Sequence, residues 1–111
     1  MKIPWLYRVM VVGTISVLGL PDVALASERH LRSEDVREMV AQGTILSLET
    51  LLERHADLLN GRLLDVEVEA EEEHGVKRFL YEVEVLGADG IVREFEFDAA
   101  TGQMIEMDIE D

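Results

Sequence analysis

The chain has no cysteine. Disulfides, thiol redox chemistry and cysteine-based metal sites are therefore excluded, and an exported form has to be held together by its core alone. Positive charge is scarce as well: 10 Lys and Arg stand against 24 Asp and Glu, for a formal net charge of −14. Such a polyanion is repelled by nucleic acid and by anionic membrane surfaces, and it suits basic partners, cations or plain solubility. There is no phosphate-cradling glycine loop and no Asp-x-Asp-x-Asp-Gly calcium loop. The three histidines, His30, His55 and His74, make no His-x-x-x-His or similar pair. Long apolar runs are missing too. The longest, Val9 to Leu20, has twelve residues and is closed by Pro21 and Asp22, short of the roughly 20 that span a bilayer.

That run reads as the middle of an export signal. Lys2 and Arg8 supply a basic start, and Ala24-Leu25-Ala26 supplies the small-x-small pattern of a cleavage site. The expectation is a signal peptide over residues 1–26, cut after Ala26; a membrane anchor, the competing reading, is too short. Removing 26 of 111 residues leaves Ser27 to Asp111, 85 residues, enough for one domain with a modest core. Lys2, Arg8 and Asp22 give the leader a net +1, so −15 remains on the mature part. The protein is expected in a bacterial periplasm or secreted, with no stable membrane anchor after cleavage.

The mature chain divides into a polar leader with a short helix (27–45) and a domain (46–111). Ser27 to Arg32 reads as loose. Ser33 reads as an N-cap with Glu34 and Asp35 in the first turn, ahead of Val36, Met39 and Val40 at helical spacing, and Gly43 as the stop. A second helix is expected from Ser47, with a stripe of Leu48, Leu51, Leu52, His55, Leu58 and Leu59, closed by Asn60-Gly61. Four strands follow: Arg62 to Glu71, Val76 to Leu86, Ile91 to Phe97 and Gln103 to Ile109. The turns between them are Glu72-Glu73-His74-Gly75, Gly87-Ala88-Asp89-Gly90 and Asp98-Ala99-Ala100-Thr101-Gly102. The fold class expected is α+β, with two short N-terminal helices packed on one face of a four-stranded antiparallel meander.

The strands alternate with period two. One face carries Leu64, Val66, Val68, Phe79, Tyr81, Val83, Val85, Phe95, Phe97, Ile105, Met107 and Ile109. The other carries Asp65, Glu67, Glu69, Glu71, Glu82, Glu84, Glu94, Glu96, Glu106, Asp108 and Glu110. The apolar face is expected to be core under the leucine stripe, in preference to a ligand groove, since a domain this small has little apolar area to spare. The acidic face is expected to stay open to water. Like charges on neighbouring strands repel, so that face is either a docking surface for a basic partner or a solubility device. The candidate docking residues are Glu67, Glu69, Glu82, Glu84, Glu94, Glu96, Glu106 and Asp108.

Catalysis finds no support in the sequence. Ser33 and Ser47 read as caps, and a uniform acidic face does not split carboxylate pKa values into acid and base. No catalytic residue, cofactor or metal site is assigned. His30 falls in the leader, His55 on the leucine stripe and His74 at a hairpin tip.

The leucine-rich helix is followed by Gly61-Arg62-Leu63-Leu64-Asp65-Val66-Glu67-Val68-Glu69, by Phe79-Leu80-Tyr81-Glu82-Val83-Glu84-Val85, and by Phe95-Glu96-Phe97-Asp98-Ala99-Ala100-Thr101-Gly102-Gln103-Met104-Ile105. On these segments the chain, from Leu46 to Asp111, resembles the PepSY domain family. Phe97 and Ile105 stand where that family often has valine. The helix-helix-strand order is also similar to the repeat of a secreted β-lactamase inhibitor protein. The resemblance implies an extracytoplasmic, non-enzymatic module of a kind proposed to inhibit or modulate peptidases. Its partner would be another extracytoplasmic protein, such as a peptidase or a sensor ectodomain. It implies a structural role for Asp98, Thr101 and Gly102. The alternatives are a periplasmic sensor or buffer for cations or small basic ligands, and an acidic protective protein with no defined ligand.

Overall fold

The computed structural model describes residues 26–110; the expected signal peptide, Ala26 apart, lies outside the described residues. The elements are β1 (Ala26–His30), α1 (Ser33–Ala41), α2 (Leu48–Arg54), β2 (Arg62–Glu73), β3 (Val76–Leu86), β4 (Val92–Asp98) and β5 (Met104–Glu110). The strands form one antiparallel sheet in the order β1-β2-β3-β4-β5. The α+β class and the meander are as expected. No helix among the described residues is long and apolar enough to cross a membrane.

The sheet has five strands where four were expected, and a strand precedes the helices. Ser27 to Arg32, expected to be loose, instead supplies β1, paired with β2 from Ala26↔Glu73 to His30↔Glu69. The cause lies in the backbone. β2 is 12 residues long, and its outer N–H and C=O groups need partners. An edge strand supplies those partners with polar side chains as well as with apolar ones, so no apolar alternation marks it. β1, from the segment expected as a polar leader, and β2 thus share one sheet.

Arg32, not Ser33, is the N-cap of α1, and it makes no side-chain cap bond. The chain is still tied to the sheet at Leu31, whose N–H donates to the Val68 carbonyl at 2.8 Å, so the turn into the helix falls on Arg32. α1 ends at Gln42, followed by Gly43 at φ +77°. In α2 the expected cap is present: Ser47 Oγ accepts from the Thr50 N–H at 3.1 Å. The helix stops at Arg54, well short of Asn60. His55 leaves helical geometry and packs its ring 4.6 Å from that of Phe97. Its Nε2 donates to the Gly102 carbonyl at 2.6 Å. These tertiary contacts override the continuing leucine spacing.

The Asp98–Gln103 turn is a structural latch. Asp98 Oδ1 accepts from the N–H groups of Ala100 (2.9 Å) and Thr101 (3.0 Å), the Asx geometry that favours Asp at a turn start. Arg54 donates to the Thr101 carbonyl at 3.0 Å, and the Leu46 N–H donates to the Ala99 carbonyl at 2.8 Å. The turn thus fastens the β4–β5 connection to α2. The buried Tyr81 completes the latch by donating to the Leu46 carbonyl at 2.7 Å. Tyr81→Phe is expected to cost about 1 kcal/mol of stability, the net worth of one such bond, measured by urea unfolding.

The core lies between the helices and the sheet, built on Leu51, Val68, Tyr81, Val83, Phe95 and Phe97. Two bulges modify the expected face. Leu63 takes the place opposite Val85 and Met104 the place opposite Phe97, with Leu64 and Ile105 as the extra residues. In a bulge two residues oppose one; Leu64 and Ile105, expected in the core, are exposed, as are Leu63 and Met104 beside them and Ile109, also expected in the core, near the end of β5. The β2–β3 hairpin is also tighter than expected. Glu72 and Glu73 remain in β2, and the turn is His74-Gly75 alone, with φ of +53° and +80°. Two positive φ values match the right-handed twist of a two-residue hairpin.

Candidate functional site

The strand register gathers the carboxylates into rows across the sheet. Asp65, Glu84, Glu94 and Asp108 face one another across β2–β5. The adjacent row is Glu67, Glu82, Glu96 and Glu106. A third row runs His30, Glu69, Leu80 and Asp98. Directly opposed Cβ atoms stand about 4.5–5.5 Å apart, so each inner carboxylate of the first two rows has a like charge on both sides. All eight expected docking residues fall in these rows.

The face is not the open acidic surface expected. Glu69 (0 %), Glu82 (8 %) and Glu96 (3 %) are buried, and so is Leu80 (0 %) on the same face. Each lies on an inner strand between two neighbours: His30 and Leu80 flank Glu69, Glu67 and Glu96 flank Glu82, and Glu82 and Glu106 flank Glu96. Glu67, Glu84, Glu94, Glu106 and Asp108 are half-buried, while Asp65 and Glu110 are exposed. A partner can reach these seven carboxylates, and the half-buried Glu71 and Asp98 beside them.

Glu84, Glu94 and Glu110 converge, with carboxylate oxygens within 4.8 Å of one another. Burial, then the charges of Glu110, Glu84, Asp108 and Glu96, push the Glu94 carboxyl up to about 7. Burial also raises Glu84, helped by a hydrogen bond that its protonated carboxyl donates to Glu110 and by the charges of Glu110, Asp65 and Glu67. Glu110 lies outside the expected docking set. Its backbone partner is Val92, so alternation puts it on this face but does not show that it reaches Glu94.

A pH dependence follows. A carboxyl raised from 4.5 to about 7 on folding makes the folded state bind more protons than the unfolded state between those values. Its stabilising contribution is complete below about 4.5 and is lost as pH rises to about 7. Glu94 is half-buried and open to water on one side, so screening reduces the effect to about 1 kcal/mol. The unfolding free energy should therefore fall from pH 4.5 to pH 7.5. Glu94→Gln should flatten that slope and be the more stable protein at pH 7.5, as read by urea titrations at the two pH values.

The second convergence is at His30, expected in a loose leader but held by β1 at the sheet edge. Its Nδ1 lies 3.3 Å from Glu67 Oε2 and its Nε2 3.6 Å from Glu69 Oε1. One nitrogen and two carboxylate oxygens there fall within 4.8 Å of one another. Imidazole with carboxylates is a donor set that zinc accepts, and three carboxylates suit a harder cation. Sequence spacing hid this group because its histidine and its glutamates are brought together only by strand pairing. His74 stays at the exposed hairpin tip, 3.8 Å from Glu73.

No protein-family model, no curated protein and no solved structure matches this chain.

Proposed function

We propose that this chain is a small exported, non-enzymatic binding module of PepSY type that docks a basic region of another extracytoplasmic protein and modulates it, a peptidase or a sensor ectodomain being the partner class. One observation carries the reading. Two rows of opposed carboxylates cross four strands, and burial together with the neighbouring carboxylate charges raises Glu94 to about 7. Repulsion of that kind costs sheet stability, and a cationic partner relieves it. Complementary charge of this sort speeds association and sets orientation.

The test is a pull-down of extracytoplasmic extract on the full chain at low and at physiological salt, read by mass spectrometry. Enrichment of one basic partner, lost with the combined Glu84→Gln, Glu94→Gln and Asp108→Asn variant, supports the module. An empty result at both salts makes the acidic face a solubility device. A second reading, a sensor or buffer for cations or small basic ligands, is favoured by the convergent donors at His30 and at Glu94. Calorimetry with calcium, zinc and polyamines decides it.

A further inference from the structure

β1 covers only half of β2. Its pairing ends at His30↔Glu69, and the Leu31 N–H to the Val68 carbonyl is the last bond on that side. Among the described residues no strand lies along the outer side of Arg62 to Glu67. Strand backbone alternates with period two. Since the Val68 carbonyl points outward to Leu31, the N–H and C=O of Val66 point outward too.

Beside this open edge lies a cleft of about 580 Å³ between the helices and the sheet. Its apolar walls include Leu31, Val36, Val66, Val68 and Tyr81, and Ser33, Arg37 and Ser47 also line it. Val66 and Glu67 point to opposite faces of the sheet, yet both line the cleft, so the cleft opens around the edge of β2. Its size fits a bulky apolar side chain. On the other face of the same edge stand the exposed Asp65 and the half-buried Glu67.

We infer that the outer edge of β2 from Asp65 to Glu67 accepts an extended segment of a partner protein in which apolar and basic residues alternate, the apolar side chain entering the cleft and its basic neighbours meeting Asp65 and Glu67. The occupant's chemistry follows from the geometry. An added strand must alternate its side chains between the two faces. One face here offers an apolar cavity and the other offers carboxylates. The inference rests on the binding-module reading and names the segment such a module takes.

The probe is the peptide Val-Lys-Phe-Lys-Val-Lys, capped at both ends and added to the full chain labelled with nitrogen-15. Two comparators keep the composition but lose one feature each: alternate backbone amides N-methylated, or Lys replaced by Glu. The expected result is slower amide exchange at Val66, and binding at least about tenfold tighter than either comparator. Glu67→Lys should weaken binding by a similar factor, while Glu73→Lys, exposed at the far end of β2, should change it by less than about twofold. Equal binding of the N-methylated peptide overturns the inference, and that result needs no variant to fold. Peptide-induced shifts confined to Glu84, Glu94 and Glu110 overturn the edge site and leave the acidic-face module standing. So does an absence of peptide binding where the pull-down still captures a basic partner.

Discussion

Phe95→Ala should remove about 3–5 kcal/mol of stability, the usual cost of emptying a phenylalanine site in a packed core. Phe95 is 2 % exposed on β4, between Val83 of β3 and Met107 of β5. Its ring stacks on Phe97 at 6.1 Å, and Phe97 in turn carries the His55 ring that ends α2. The cavity therefore opens in the middle of the sheet and beneath the helix cover. A domain of this size has about 5–10 kcal/mol in total, so the variant should be largely unfolded in mild urea. A loss below about 1 kcal/mol would mean that this face is not the core.

Gly61→Ala is the second large effect. Gly61 enters β2 at φ +156°, and a Cβ there would collide with the Leu86 carbonyl oxygen and press Val85 Cγ1 at 3.0 Å. The obstacle is backbone of the neighbouring strand, so rotamer changes cannot relieve it. Strain and overpacking together should cost roughly 2–4 kcal/mol. The contrast is Gly75→Ala, where φ is +80° but a Cβ meets nothing within 4 Å; its loss should be near 1 kcal/mol, from backbone conformation alone. Equal losses in urea unfolding would remove the close approach as the cause.

These two sites also show what the sequence makes visible. Apolar alternation in β2–β5 marks Val83, Phe95 and Phe97 as core, because a half-buried strand has to alternate. The same pattern places every carboxylate of the acidic rows on the correct face. What it cannot reveal is pairing. β1 is polar because an edge strand is recruited for its backbone groups, and the His30–Glu67–Glu69 group depends on that recruitment. The bulges at Leu64 and Ile105 shift register without breaking the apolar pattern. Turn chemistry was legible where a side chain makes the turn, as at Asp98. It was not legible at His74, a non-glycine residue held at positive φ by the demands of a two-residue hairpin. The end of α2 was hidden for a similar reason, because His55 is drawn off the helix by partners 42 and 47 positions away, Phe97 and Gly102.

The carboxylate rows bear on both stability and binding. A side chain that destabilises the free sheet above pH 7 gains most from a cationic partner, so the cost of the rows in the free protein becomes affinity in the complex. The same coupling predicts that bound cationic side chains lower the Glu94 pKa, because they favour its charged form.

The most direct test is an NMR titration of the Glu94 side-chain carboxyl in the full chain, with and without a lysine-rich peptide. The account predicts titration near 7 in the free protein, moved towards the ordinary carboxylate range when the peptide is present. An ordinary value in the free protein, unchanged by the peptide, would contradict it.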